Sequence, residues 1–524
     1  MYESPYQATQ ERTIPAMVES FEQVAGPQPI VIAEDGSGDA GEFLRAARSV
    51  AARFRQLGLE PGERVGLLVA NGWRWMATAV GAHLAGLTVV CLNTWYREDE
   101  LRTAVERTGV RLLISQRTLW GISWEDILRR AGLLEADLGT AFWERDGVLE
   151  LPLDGPGDDP ASSAKPEDIA FMAFTSGSSA EPKVVTLTHR DLMDNCYQIG
   201  RRQDLRTGDR LWMATPLFFG LGCANGIPVA LTNGATLCIQ ERFEPWESAA
   251  FVEKHRCTVY YGLGPMTRAL LDSGAAAAHD LSSLRTGITA FSPEEKRLAV
   301  EELGVTGVCS VYGLTEGYGH STMTRADDDL ATKLHTQGTV LPTQEIRIVD
   351  PESGKPAGPD SAAGEIQLRG CVTQGYFNDP ESNLRSFTAD GWFRTGDMGR
   401  IDEQGRLIYS GRLKEIVKVN GITVSPAEVE AVLGDSPVVE DVHAFGWILP
   451  GRDDETLCCA VVPRRGQEPG RLETELRAWL RSRVASYKIP GAFVFLAADQ
   501  LPMTDSGKVN KRLIGETYFA GSAQ

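Results

Sequence analysis

At 524 residues, with 42% hydrophobic and 23% charged side chains, the chain has an ordinary globular composition and length for about three to four domain-sized units. A net charge of −19 repels phosphate backbones at long range and argues against a nucleic-acid protein, so any phosphate it binds must meet a local site. Nine cysteines, odd in number and without a C-x-x-C pair, read as buried thiols in a reducing compartment rather than a disulfide framework or a zinc or iron–sulfur site.

The opening stretch MYESPYQATQERT has neither a basic region nor an apolar one, and the terminal Gly521-Ser522-Ala523-Gln524 carries no lipidation or peroxisomal signal. The expectation is a cytoplasmic protein with no membrane partner. Residues 42–58 place apolar side chains at three-to-four spacing and stop at Gly58, which predicts an amphipathic helix with a glycine cap. RVGLLVA (64–70) follows as a buried strand. The cycle repeats with a helix through 75–85, a strand at 88–92, a helix over 98–107 and a strand at 111–115. The apolar run from Trp75 to Leu92 is interrupted by His83, Gly86 and Thr88 and reads as helix then strand rather than a membrane span. This alternation predicts a parallel sheet covered by helices.

Residues 152–166 form a Pro-, Gly- and Asp-rich connection, and a second alternating block runs from Ile169 to Tyr312. From Gly338 the texture changes to short strands with frequent turns (EIRIVD, GEIQLRG, RLIYSG), as in a mostly antiparallel β-subdomain. Beyond Arg412 mixed helix and strand resume for long enough to make a small separate domain. The expected division is 1–411 and 412–524.

The most informative segment is Phe174-Thr-Ser-Gly-Ser-Ser-Ala-Glu-Pro-Lys183, a loop of hydroxyls and small residues between two apolar runs. Small side chains let backbone N–H groups approach phosphate oxygens, hydroxyls add donors, and Lys183 adds a point charge. The Walker A spacing is absent, so the segment by itself is either a phosphate cradle or an ordinary Ser-rich surface loop.

Four further segments stand in order behind it: SVYGLTE (310–316), GWFRTGD (391–397), GRLKEIVKVNGITVSPAEVE (411–430) and LPMTDSGKVNKR (501–512). With the loop, they resemble the motifs of the adenylate-forming superfamily of acyl-CoA synthetases, peptide-synthetase adenylation domains and luciferases. The resemblance spans nearly the whole chain. It implies an α/β fold: a large N-terminal domain of two αβαβα-type subdomains plus a β-subdomain, and a small mobile α+β C-terminal domain.

The resemblance also assigns roles. Thr175, Ser176, Gly177, Ser178, Ser179 and Lys183 would hold the β- and γ-phosphates of ATP and then pyrophosphate; Thr315 would donate to the α-phosphate, and Glu316 would ligate Mg²⁺ directly or through water. Tyr312 would stack on adenine, while Asp397 and Arg412 would bind the ribose. Lys508 would bridge the two anions that meet when a carboxylate attacks the α-phosphorus. Lys414 sits at the hinge about which the small domain would rotate, exchanging Lys508 for a face carrying Lys418 and Gly421 that lines a tunnel for the CoA thiol.

Some positions depart from the family pattern. Ala180 and Val184 replace usual glycines and Ser179 a usual threonine. In Pro216-Leu-Phe-Phe-Gly-Leu-Gly222, Phe219 stands where many acyl- and aryl-CoA ligases have a histidine near the thiol entrance, and Phe291 stands where relatives have a glycine-rich strand beside the acyl pocket. With Phe219, Gly220 and Phe291 lining the acid pocket, the acid would be small or a flat ring. No acidic residue in 218–222 matches the aspartate of amino-acid-activating relatives, and the expectation is that no carrier domain follows residue 524. Both disfavour a free-standing peptide-synthetase domain. His189 reads as structural, and the other histidines, His83, His255, His279, His320, His335 and His443, show neither metal spacing nor a G-x-S-x-G partner.

Three functions stay open at this point. The first is an ATP- and Mg²⁺-dependent ligase that adenylates a small or aromatic acid and passes it to CoA. The second keeps adenylation but uses an amine acceptor, giving an amide, or diazotises an arylamine with adenylated nitrous acid. The third is a non-catalytic AMP-binding relative. Acid, acceptor, pathway and oligomeric state are not written in these motifs.

Overall fold

The computed structural model describes residues 3–520 except 135–138, 144–148, 151–161, 176–182, 291, 358–362, 414–416, 420–421, 425, 451, 453–454, 465, 468, 482, 485–487 and 504–508. The expected helix of 42–58 runs Ala40–Gln56, capped at its start by Asp39 and Glu42 in a reciprocal box. The chain gathers into two compact units: residues 1–291, 295–346 and 368–393 form the first, and 292–294, 347–367 and 394–524 the second.

Two sheets organise the first unit. One has seven strands in the order Lys183–Thr188, Ile169–Thr175, Thr88–Cys91, Arg64–Leu68, Leu112–Gln116, Gly139–Trp143, Leu149–Glu150. Its interior ladders are parallel and its two edge pairings antiparallel. The other has nine strands, with a parallel interior from Gly307–Tyr312 through Thr286–Thr289, Val259–Tyr260, Arg210–Met213 and Thr236–Ile239 to Pro29–Ala33. Consecutive parallel strands need a crossover, and helices such as Trp73–Leu84 and Ile227–Asn233 supply it. One continuous core joins Val65, Leu67, Val89 and Phe171 of the first sheet to Val31, Leu211, Leu237 and Ile288 of the second.

Sheet membership departs from chain order in two places. The strand Pro29–Ala33, which precedes everything in the first sheet, pairs with Thr236–Ile239 of the second. The strands Ile169–Thr175 and Lys183–Thr188, which open the second alternating block, close the edge of the first sheet. Partner choice between two strands of similar apolar texture is decided by long-range packing, which a local pattern does not encode.

The second unit pairs Phe393–Ile401 with Leu407–Arg412 antiparallel and contains a three-stranded sheet of Val439–Ile448, Glu455–Pro463 and Ala492–Phe495. Helices Pro426–Gly434 and Pro469–Arg481 contribute Val429, Leu433, Leu472, Leu476 and Leu480 to the core on that sheet. Lys511 reaches Glu430 at 2.8 Å, the same carboxylate oxygen that accepts the Ala444 N–H. All nine cysteines are buried and unbridged, as their spacing predicts. Among the described residues no helix is long and apolar enough to cross a membrane.

His83 and His189 meet edge to face at 4.8 Å inside the core, and the Ile14 N–H donates to His189 Nδ1 at 3.3 Å. His189 is therefore a core residue. Burial holds His83 and His320 down to about 4 and His189 well below the usual imidazole range. Below the ordinary imidazole pKa the unfolded chain takes up protons that the folded chain refuses, so their contribution is complete above about pH 6.5 and is lost as pH falls toward 4. The slope is about 1.4 kcal/mol per pH unit for each such histidine. Urea-unfolding midpoints should drop steeply between pH 7 and 5; a flat profile over that window contradicts the buried neutral pair.

Candidate active site

The phosphate-loop segment is the connection of an antiparallel hairpin. Thr175 closes strand Ile169–Thr175 directly opposite Lys183, the first residue of Lys183–Thr188. Ser176, Gly177, Ser178 and Ser179 lie outside the described residues. Lys183 Nζ sits 4.4 Å from the centre of the Tyr376 ring, and the Tyr376 hydroxyl donates to Glu316 Oε1 at 2.8 Å. Glu316 is buried, and its carbonyl accepts the Thr373 N–H at 2.7 Å, so residues 373–376 hold both ends of it. Hydrogen bonds to main-chain carbonyls fix that segment to the hairpin: the Phe377 N–H donates to the Val184 carbonyl at 2.8 Å, and Thr186 Oγ1 donates to the Gly375 carbonyl at 3.0 Å. Burial first, then the Glu316 charge, pushes the Tyr376 hydroxyl far above its ordinary value, so it stays a proton donor.

Thr315 and Glu316 begin the 3₁₀ turn Thr315–Gly317 that follows strand Gly307–Tyr312. A Cβ on Gly313 would lie 2.0 Å from the Gly319 carbonyl oxygen, which is why the motif has glycine there. Tyr318 takes a left-handed φ of 54° that a bulky residue adopts only when its surroundings force it. The restraints are visible: the Thr188 N–H donates to the Tyr318 hydroxyl at 3.1 Å, and Asn195 Nδ2 donates to the Tyr318 carbonyl at 2.9 Å. Tyr312 ends its strand almost fully buried.

Against this turn lies a helical stretch from Gly220 that includes the π-helical turn Gly222–Gly226, a geometry frequent at functional sites. A Cβ on Gly220 would lie 2.4 Å from Thr315 Oγ1, so the expected acid pocket and the expected α-phosphate donor are in contact. Phe219 is half-buried, with its ring 4.5 Å from Phe218 and 5.5 Å from the half-exposed Trp95. Asn71 positions the approach to this segment: its Oδ1 accepts the Leu217 N–H at 2.8 Å while its Nδ2 donates to the Thr215 and Gln240 carbonyls.

Asp397 and Arg412 belong to the second unit, where they are cross-strand partners and pair at 2.8 Å, Arg412 Nε on Asp397 Oδ1. Lys414, Gly421, Phe291 and Lys508 lie outside the described residues, and Lys418 is described only as part of the strand Val417–Val419. Met503 and Val509 form an antiparallel bridge, and the Asn510 N–H donates to the Pro502 carbonyl at 2.7 Å. Sequence reasoning missed Tyr376, Trp95 and Asn71. Gly375-Tyr376 stands in an undistinguished turn, and Asn71-Gly72 reads only as a turn after a strand.

The family model described as AMP-binding enzyme matches residues 22–377, and the model described as AMP-binding enzyme C-terminal domain matches 428–508. The chain belongs to the AMP-binding enzyme family. This ligase is thus an ATP-dependent, AMP-forming enzyme of the adenylate-forming superfamily. It is 33% identical, over 96% of its length and 99% of the relative's, to 3-[(3aS,4S,7aS)-7a-methyl-1,5-dioxo-octahydro-1H-inden-4-yl]propanoyl:CoA ligase of Mycobacterium tuberculosis. Its fold matches ATP-bound MatB from Rhodopseudomonas palustris with a TM-score of 0.85 at 24% identity, covering 97% of this chain and 99% of that one. It also matches the amide bond synthetase McbA from Marinactinospora thermotolerans with a TM-score of 0.80 at 25% identity, covering 96% and 99%.

Proposed function

We propose that the ligase activates a small or aromatic carboxylic acid as its acyl-adenylate, releasing pyrophosphate, and passes the acyl group to CoA. The contact between Gly220 and Thr315 carries this reading: it supports an acid pocket, expected at Gly220, beside the group expected to donate to the α-phosphate. An acid seated there is held near the phosphorus it attacks, and positioning of this kind supplies much of a bimolecular barrier. Thr175, Lys183 and the hydroxyls of 176–179 would hold the outgoing pyrophosphate, Tyr312 the adenine, and Asp397 with Arg412 the ribose.

The donor set suits Mg²⁺. Among the described residues no cluster of three or more His, Cys, Asp or Glu could cage a metal. Mg²⁺ is commonly held by one or two carboxylates plus substrate phosphates, and Glu316 is one buried carboxylate fixed by the Tyr376 hydroxyl. Bound there with ATP, the ion would neutralise phosphate charge. Rotation of residues 412–524 about Lys414 would withdraw Lys508 after adenylation and bring up Lys418 and Gly421 for the thiol. The name of the M. tuberculosis relative, a CoA ligase for a ring-bearing propanoate, supports CoA as acceptor.

An amine acceptor is the second reading. Phe219, expected where many acyl- and aryl-CoA ligases have a thiol-entrance histidine, packs with the Phe218 and Trp95 rings, and the fold neighbour McbA is an amide bond synthetase. Both readings are tested by following pyrophosphate release from Mg-ATP across short aliphatic, aromatic and inorganic acids including nitrite, each with CoA or an arylamine. An organic acid giving a CoA thioester supports the first; turnover that needs an amine or nitrite and ignores CoA replaces it with the second.

A further inference from the structure

Buried polar atoms in folded proteins almost always find partners, and the turn beside Thr315 shows how thoroughly. Asn195 Nδ2 alone contacts the carbonyls of Gly317, Tyr318 and His320, and Gln344 Nε2 donates to the Gly317 carbonyl at 2.9 Å. Two side chains in the same place are different. Asn225 is fully buried and His320 is 6% exposed, yet neither Asn225 Nδ2 and Oδ1 nor the two ring nitrogens of His320 have a hydrogen-bond partner. Among the described residues these are the only two side chains with both polar atoms left in that state. The His320 ring comes near the Gly319 carbonyl without reaching hydrogen-bond geometry.

The two are neighbours. A Cβ on Gly319, the residue before His320, would lie 2.4 Å from Asn225 Nδ2, and the Gly319 φ of 96° lets the backbone pass that close. They also belong to the two segments expected to border the acid pocket, the helical stretch from Gly220 and the chain that follows Thr315. Gly220 touches Thr315 at one end of the helical stretch, and Asn225 touches Gly319 five residues on, about 7 Å along it at helical rise.

We propose that the substrate completes these atoms: the acid carries, roughly 7 Å from its carboxylate, a neutral oxygen that hydrogen-bonds Asn225 and His320. The group is an oxo or hydroxyl substituent. A neutral imidazole and a carboxamide each offer one donor and one acceptor side, which suits a carbonyl or hydroxyl and leaves a buried carboxylate or ammonium without a counter-charge. The inference rests on the reading of Thr315 as the residue beside the α-phosphate.

The test compares matched acids in pyrophosphate release: benzoate with 4-hydroxybenzoate, and cyclohexanecarboxylate with 4-oxocyclohexanecarboxylate. The wild-type kcat/KM should favour the oxygenated member by at least about tenfold, because its partner leaves buried polar groups unpaired. In Asn225→Leu and His320→Leu that ratio should fall toward unity. The unliganded Asn225→Leu protein should melt no lower than wild type, since an apolar side chain of similar size removes two unpaired polar atoms. A wild-type preference for the unsubstituted acids, or a ratio unchanged in both variants, overturns the inference and leaves adenylation standing. A lowered melting temperature in Asn225→Leu with the ratio retained marks Asn225 as structural and also overturns it. No pyrophosphate release with any acid overturns both the inference and the adenylation reading beneath it.

Discussion

Lys508→Ala should lower acid-dependent pyrophosphate release by about 10²–10³-fold, the loss typical of removing one group aimed at developing charge in a transition state. The physical reason is specific to the first half-reaction. A carboxylate attacking the α-phosphorus brings two anions together, and a bridging ammonium stabilises that encounter more than it stabilises separated acid and ATP. The variant should therefore lose kcat more than ATP affinity. With preformed acyl-adenylate supplied, transfer to CoA should suffer far less, because Lys508 is expected to have rotated away by then. Adenylation at the wild-type rate would remove Lys508 from the mechanism.

The second large effect concerns Glu316 and the tyrosine that holds it. Glu316→Ala should cost about 10²–10³-fold in the same assay and raise the Mg²⁺ concentration needed for half-maximal rate. Tyr376→Phe is the more telling variant. Tyr376 is a positioning residue whose hydroxyl donates to Glu316 Oε1 at 2.8 Å, under the Lys183 ammonium. Loss of such an outer partner commonly weakens metal affinity about 10–100-fold. The Mg²⁺ concentration for half-maximal rate should rise by about that factor, with much of kcat recovered at saturating Mg²⁺. A purely structural role would lower the melting temperature and leave the Mg²⁺ requirement where it was.

Tyr376 also marks how far the sequence could be read. Thr315, Glu316 and Lys183 announce themselves because each sits in a short motif whose spacing has a chemical purpose. Tyr376 stands 60 residues from Glu316 in a turn of ordinary composition, and the docking of residues 375–377 on the strand Lys183–Thr188, with Val185 bridged to Tyr376, brings it in. Asn71 is similar: its amide bonds span from the end of one sheet to a turn 144 or more residues away. Contacts of this kind are set by which strands become neighbours, and residues that make them carry no local signature.

The sequence by itself determined the element types, the adenylate-forming family and the order of its five motifs, because helical and strand periodicity, glycine stops and motif spacing are all local properties of a chain. The tertiary structure alone decided that the strand Pro29–Ala33 belongs to the sheet containing Thr236–Ile239 and that Ile169–Thr175 closes the other sheet. It alone set Gly220 against Thr315 and left Asn225 and His320 buried without partners. The difference is physical: a pattern of apolar residues says which face is buried, but what that face is buried against depends on the free energy of the whole packed core.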